Sequence, residues 1–226
     1  MSAAPREFGA GPLAQVAAVV YTVLVVELLM LATAAPGLML LVLLDRSPSN
    51  LPLVALCAVP LGPALSAALY ALHHRRADLT ELRPAGAFWR GYRANVLGVL
   101  KVWVPLLVWL TILALNLTYF RAAGVPGWWA VLLVLVAVAA SLWGLGALVI
   151  TSLFAFRVTD VARLSLYFLA HTPGVAFGNA CLLVVAVAVV VLLTEVVLAL
   201  LGSLFALALL RNSRPVIAQI RQEFTA

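Results

Sequence analysis

Long apolar runs constrain this chain more than any motif in it. They extend from about Val16 to Leu44, Leu51 to Leu72, Val96 to Tyr119, Ala130 to Phe156 and Ala176 to Leu210, and together they contain only three charged residues, Glu27, Lys101 and Glu195. Each exceeds the roughly 18 residues that mark a membrane-spanning helix. A backbone inside hydrocarbon has no water to bond, so runs of this length must fold as helices that satisfy their own N–H and C=O groups. Composition agrees: 65% of residues are hydrophobic and 10% charged, against about half and about a quarter in an ordinary globular chain. The fold class expected is all-α, a polytopic transmembrane helix bundle forming a single integral membrane domain over residues 1–226.

The last run decides the predicted topology. As one helix, its roughly 35 residues would reach about 52 Å against a hydrocarbon core of about 30 Å. Two short spans turning near Thr194-Glu195 fit better. The spans then fall at about 16–44, 51–72, 96–119, 130–156, 176–193 and 195–210, with cytoplasmic segments at about 73–95 and 157–175. Charge supports this count. With six spans and both termini cytoplasmic, only Arg46 and Arg121 lie outside, and the other 12 of the 14 Lys and Arg lie inside. Five spans, the alternative, move Arg211, Arg214 and Arg221 outside and weaken the asymmetry that orients membrane proteins. The first run also admits a competing reading as a cleaved signal peptide, with Ala32-Thr33-Ala34 resembling a cleavage site. Against it, Glu7 offsets the single arginine before the run, and the run continues well past the supposed cut. A kink or break is expected at Pro36-Gly37.

Basic residues gather in the central stretch Pro60–Trp103, which holds five of the 13 arginines, the only lysine and two of the three histidines. After the loop at His73–Pro84 the pattern turns amphipathic. Phe88, Trp89, Tyr92, Val96 and Leu97 form one stripe, with Arg90 and Arg93 away from it. Such a helix is expected to lie along the membrane surface, aromatics at headgroup depth. Residues 157–179 repeat the theme, so one or two interfacial amphipathic helices accompany the spans. Gly62, Ser66 and Tyr70 share one face of the second span, and small residues there let helices approach closely.

Glu27 is the sharpest single residue, about eleven residues into the first span. An ionisable group at that depth costs a few kcal/mol or more and faces the bundle interior. Two roles are open for it: an intramembrane functional group, or a structural hydrogen bond to a neighbouring helix, with Ser66 or Thr151 as candidate partners. Glu195 falls at the outer turn, where water solvates it. His73, His74 and His171 lack the clustered carboxylates or thiolates of a metal site. Cys57 and Cys181 lie inside apolar runs without a partner, as small hydrophobes do. No nucleophile elbow, Walker A motif or Rossmann glycine pattern is present, so no catalytic residue, cofactor or metal is assigned. The net charge of +6 is scattered over short loops with no nucleic-acid reading module; the bilayer is the partner that composition implies.

Two segments, G-P-A-L-S-A-A-L-Y-A-L-H-H-R-R at Gly62–Arg76 and F-W-R-G-Y-R-A-N at Phe88–Asn95, resemble the YesL-like bacterial membrane proteins, a family named as a domain of unknown function. Tyr21–Leu29 and Gly202–Leu210 are similar to its first and last spans. The long, proline-containing link between the first two spans and the presence of Glu27 depart from the family pattern. The resemblance implies a multi-pass protein of the bacterial cytoplasmic membrane, often encoded beside carbohydrate uptake genes. It implies a non-enzymatic accessory or regulatory partner of a carbohydrate ABC transport system. Arg75, Arg76, Phe88, Trp89, Arg90, Tyr92 and Arg93 are then the candidate contacts to a permease, a sensor protein or lipid headgroups. The alternative is a small transporter or channel with Glu27 as its intramembrane polar group, for which six spans suffice as half of a homodimer.

Overall fold

A computed structural model describes residues 12–45, 47–75, 83–120, 122, 124 and 126–224, and among them all regular structure is helical. The helices are α1 (Pro12–Leu43), a short 3-10 turn at Pro48–Asn50, α2 (Leu51–Cys57), α3 (Leu61–His73), α4 (Pro84–Tyr119), α5 (Trp128–Leu153), α6 (Val158–His171), α7 (Pro173–Leu192), α8 (Glu195–Leu200), α9 (Gly202–Asn212) and α10 (Arg214–Phe224). By length and composition α1, α4, α5 and α7 can each cross a membrane. The pair Pro48–Cys57 and Leu61–His73, bent by 40°, makes a fifth if it counts as one span.

The bundle is ordered the way lipid dictates, with small and apolar residues inside and large apolar residues outside. Along α1 the buried positions are Ala18, Thr22, Val26, Met30 and Ala34, a stripe of period four on one helix face. Val16, Val20, Leu24 and Leu28 are exposed on the other side. The core joins this stripe to Ala67, Ala68, Leu69 and Leu72 of α3, Phe88 and Val99 of α4, Leu148 and Val149 of α5, and Ala206 and Leu209 of α9. A second cluster brings Val216 and Ile220 of α10 against Val161 and Phe168 of α6 and Val102, Ala147 and Ile150.

Successive long helices run antiparallel. Gly62 of α3 lies against Trp103 of α4, and Tyr70 against Gly91; Gly98 faces Thr151 of α5. One end of the bundle therefore collects the close of α3, the start of α4, the close of α5 and all of α6. The tail joins it there, since Arg221 Nη2 lies 3.2 Å from His73 Nε2. The last apolar run folds back on itself: Asn212 at the end of α9 donates to Asn179 Oδ1 (2.7 Å) and to Val175 O (2.9 Å) near the start of α7. The turn falls at Leu193-Thr194, as the length argument expects.

Four expectations need correction. The return leg is not one rod: Leu201 separates a six-residue α8 from an eleven-residue α9. Residues 85–97 are not a separate surface helix but the opening turns of α4, which runs unbroken for 36 residues. At about 1.5 Å per residue it reaches about 54 Å and overshoots a hydrocarbon core of about 30 Å. The predicted aromatic stripe splits, because Phe88 is fully buried in the core while Trp89 and Leu97 face outward; the inward face of α4 is set by Pro84, Phe88, Gly91, Val99 and Val102. Lastly, Pro36-Gly37 does not break the first span, since Pro36 lies inside a continuous α1, and the break comes in the second span, at Ala58–Pro60.

The α3–α4 seam depends on glycine. A Cβ at Gly91 would stand 2.6 Å from Tyr70 Cβ, whereas one at Gly98 would meet only Thr151 Cγ2 at 3.4 Å. Tyr70 Cβ is fixed to its backbone and no rotamer change moves it aside. Gly91→Val is therefore expected to lower stability by about 1–3 kcal/mol through overpacking, while Gly98→Ala is close to neutral. Thermal unfolding of both variants in detergent micelles checks the contrast.

Candidate functional site

The break at Leu201 creates a helix start deep inside the bundle. The first N–H groups of any helix lack an intrahelical acceptor, and in hydrocarbon an unpaired donor costs several kcal/mol. At α9 the answer comes from α1: Ser203 N donates to Glu27 Oε2 at 2.6 Å. The carboxylate thus sits at the positive end of a helix dipole, where negative charge is favoured. The expected hydroxyl partners are engaged elsewhere. Ser66 Oγ accepts from Ser152 Oγ at 2.9 Å, and Thr151 Oγ1 donates to Ala147 O at 2.8 Å. The other carboxylate oxygen, Glu27 Oε1, is buried and has no hydrogen-bond partner.

Close approach makes this contact feasible. Gly202 lies beside Glu27, and a Cβ there would come within 2.9 Å of Met30 Cε and 3.6 Å of Glu27 Oε1. Met30 and Gly202 also line a cavity of about 420 Å³ between α1, α3, α5, α7 and the α8–α9 leg. Its remaining walls are apolar except for Glu195 at the end near the α7–α8 turn.

Glu195 opens α8 behind an N-cap: Thr194 has extended backbone, and its Oγ1 accepts from Val197 N at 3.3 Å. The other predicted residues lie at the basic end. Arg75 is half-buried, with Nη1 enclosed and unpartnered. Burial holds its guanidinium below the usual arginine range, and like-charge repulsion from Arg211 and Arg214 adds to the effect. Arg90 and Arg93 are exposed and Tyr92 is half-buried. Trp89 meets Tyr92 edge-on, with ring centroids 5.7 Å apart. Arg76 lies outside the described residues. Glu27 is not among this group; the structure separates its carboxylate from the basic face.

Several polar contacts escaped sequence reasoning. Asn95 donates to Ser152 O at the close of α5 (2.9 Å), Trp103 Nε1 to Ala58 O at the break between α2 and α3 (3.0 Å), and Asn212 reaches Asn179 as above. Gly202-Ser203 in the middle of an apolar run is the signal that marks the α9 break. No such signal pairs it with Glu27, 176 residues away. Cys57 is buried and Cys181 exposed, both as free thiols. Among the described residues no three metal-ligating side chains cluster.

Removing the cap has a definite expected cost. Glu27→Ala strands the Ser203 N–H in an apolar setting and is expected to destabilise by about 1–3 kcal/mol. Glu27→Gln keeps an acceptor and should lose clearly less. Unfolding in mixed micelles at increasing denaturing-detergent fraction measures both. Comparison with protein-family models, with curated proteins and with solved structures finds no match to this chain.

Proposed function

We propose that this chain is a non-enzymatic, multi-pass protein of the bacterial cytoplasmic membrane that acts as an accessory or regulatory partner of a carbohydrate ABC transport system. In this reading the polypeptide crosses the bilayer six times, with α7 and the α8–α9 leg as the last two passes and both termini in the cytoplasm. The observation that carries it is the basic end of the bundle. There the opening turns of α4, helix α6 and helix α10 converge, and Trp89, Arg90, Arg93, Arg163, Arg214 and Arg221 are exposed. Cationic residues on one side of the membrane favour the cytoplasm. Each of these helices spends its apolar face on the bundle and keeps arginine outward, which suits contact with a protein partner. The resemblance to YesL-like proteins supplies the transport setting.

The transporter or channel reading draws support from a different observation, the buried and unpartnered Glu27 Oε1. Its carboxylate already caps α9, which favours a structural share in Glu27's role.

Two measurements test the principal reading. In a Cys57→Ala, Cys181→Ala background, Thr194→Cys should react with a membrane-impermeant maleimide on intact cells. Gln222→Cys should react only after permeabilisation, and outside labelling of Gln222→Cys would establish five passes instead. In cells, crosslinking through the basic end should capture a transporter permease or a sensor. Arg90→Ala and Arg93→Ala together should cut that yield at least several-fold. An undiminished yield removes the basic face as the contact.

A further inference from the structure

We propose that the half-open apolar groove between α1, α3, α5, α7 and the α8–α9 leg holds one acyl chain of a bilayer lipid, inserted from the leaflet opposite the basic end. From the reading above it takes only that the long helices cross a bilayer. Neither the partner nor the number of passes enters, because the leaflet is named relative to the bundle's own basic end.

The groove is graded along its length. At its floor Met30, Leu69, Leu148, Gly202, Ala206 and Leu209 are all buried. Leu69 and Leu209 stand near the closes of α3 and α9, on the side where Arg221 meets His73. Toward the α7–α8 turn the walls are Leu38, Leu41, Leu61, Val190 and Leu198, all half-buried. The groove is thus sealed toward the basic end and accessible at the other. Its reach is that of one leaflet. The walls from Met30 to Leu41 on α1 and from Leu182 to Val190 on α7 run about 12–16 Å at about 1.5 Å per residue. That is about half of a hydrocarbon core of about 30 Å.

Shape and chemistry select the occupant. A volume of about 420 Å³ spread over that length is too slender for a helix about 10 Å across, which excludes a transmembrane segment of a partner or of a second copy. The lining is apolar apart from Glu195 at the outer end, so water does not settle along it. A polar small molecule would leave its own groups unpaired there. A hydrocarbon chain asks for no hydrogen bond. Already in hydrocarbon, it gains nothing by leaving water; what it supplies is contact, since the lining of a void loses its dispersion partners outright. The space itself comes from small residues and from the placing of α7. Ala34, Ala186, Ala199 and Ala206 line the groove, and α7 packs on α5, α6, α8 and α9 with the groove between it and the α1–α3 pair.

The test uses the full-length protein in proteoliposomes containing palmitoyl phosphatidylcholine probes, with a diazirine either at the chain end or beside the glycerol. Adducts are mapped by mass spectrometry after irradiation. The chain-end probe should mark Met30, Leu69, Leu148 or Leu209 at the floor several-fold more than the glycerol-side probe does. The glycerol-side probe should mark Val190 and Leu198 instead. Leu24 and Leu28, exposed on the outer face of α1, report ordinary lipid contact. Ala186→Trp places an indole in the groove and should cut floor adducts several-fold while leaving those at Leu24 and Leu28 unchanged, with monodisperse elution confirming that it folds. Should that variant not fold, the contrast between the two probes on the unsubstituted protein decides alone. Adducts at Leu24 and Leu28 with none at the floor would overturn the proposal, as when α7 closes the groove or a second copy covers it. So would floor adducts that come mainly from the glycerol-side probe, the pattern of a chain entering from the basic end. Floor labelling undiminished in folded Ala186→Trp would overturn it as well.

Discussion

Hydrocarbon gives nothing to a backbone group that has lost its partner, and the bundle is built around that constraint. At three of the interruptions among the described residues, a side chain from another helix meets the exposed group. Glu27 of α1 accepts from the first turn of α9. Trp103 of α4 donates to the carbonyl of Ala58, where α2 gives way to α3. Asn95 serves the end of α5. Each of these contacts satisfies a local break and also fixes one helix against another, so breaks become joints rather than defects; Asn212 adds a tie between α9 and α7 through Val175 O and Asn179.

Between the joints, packing depends on small residues. Gly62 and Gly91 let α4 press against α3, and the alanines of α3 are almost completely buried. Close contact of this kind replaces the hydrophobic drive that lipid removes. It fails in one place. The α8–α9 leg, bent at Leu201, lines an apolar pocket together with α1, α3, α5 and α7. The same bend exposes the helix start that Glu27 caps.

Helix identity was largely legible in the chain because the signal is additive: twenty apolar residues in a row admit one backbone solution in lipid. The hairpin in the last run was anticipated because 35 apolar residues overshoot one crossing, but length alone does not force a turn: α4 runs unbroken for 36 residues, its opening turns carrying the arginines that the last run lacks. Other features depend on what a residue happens to meet. Phe88 and Trp89 are neighbours of equal aromatic character, and only the rotation of α4 against α3 and α5 sends one into the core and the other outward. The amphipathic character of residues 85–97 was real, but its apolar side matched the bundle instead of the headgroup layer. α10 carries Val216, Ile217 and Ile220 on one face, a stripe too short to stand out in sequence among the charged and polar residues around it.

The sequence by itself determined that the protein is a helix bundle with several helices long and apolar enough to cross a membrane, and with its basic residues concentrated toward one end, because hydropathy and charge act on each residue wherever its neighbours lie. It also marked Glu27 as a residue needing an explanation, since a carboxyl group among leucines is costly in any fold. Only the tertiary structure decided what that explanation is. The acceptor for Ser203 N lies 176 residues away in sequence, and such a pairing exists only after α1 and α9 have packed. The unpaired second oxygen of Glu27 is a consequence of the same packing, set by a bend at Leu201 and a missing side chain at Gly202.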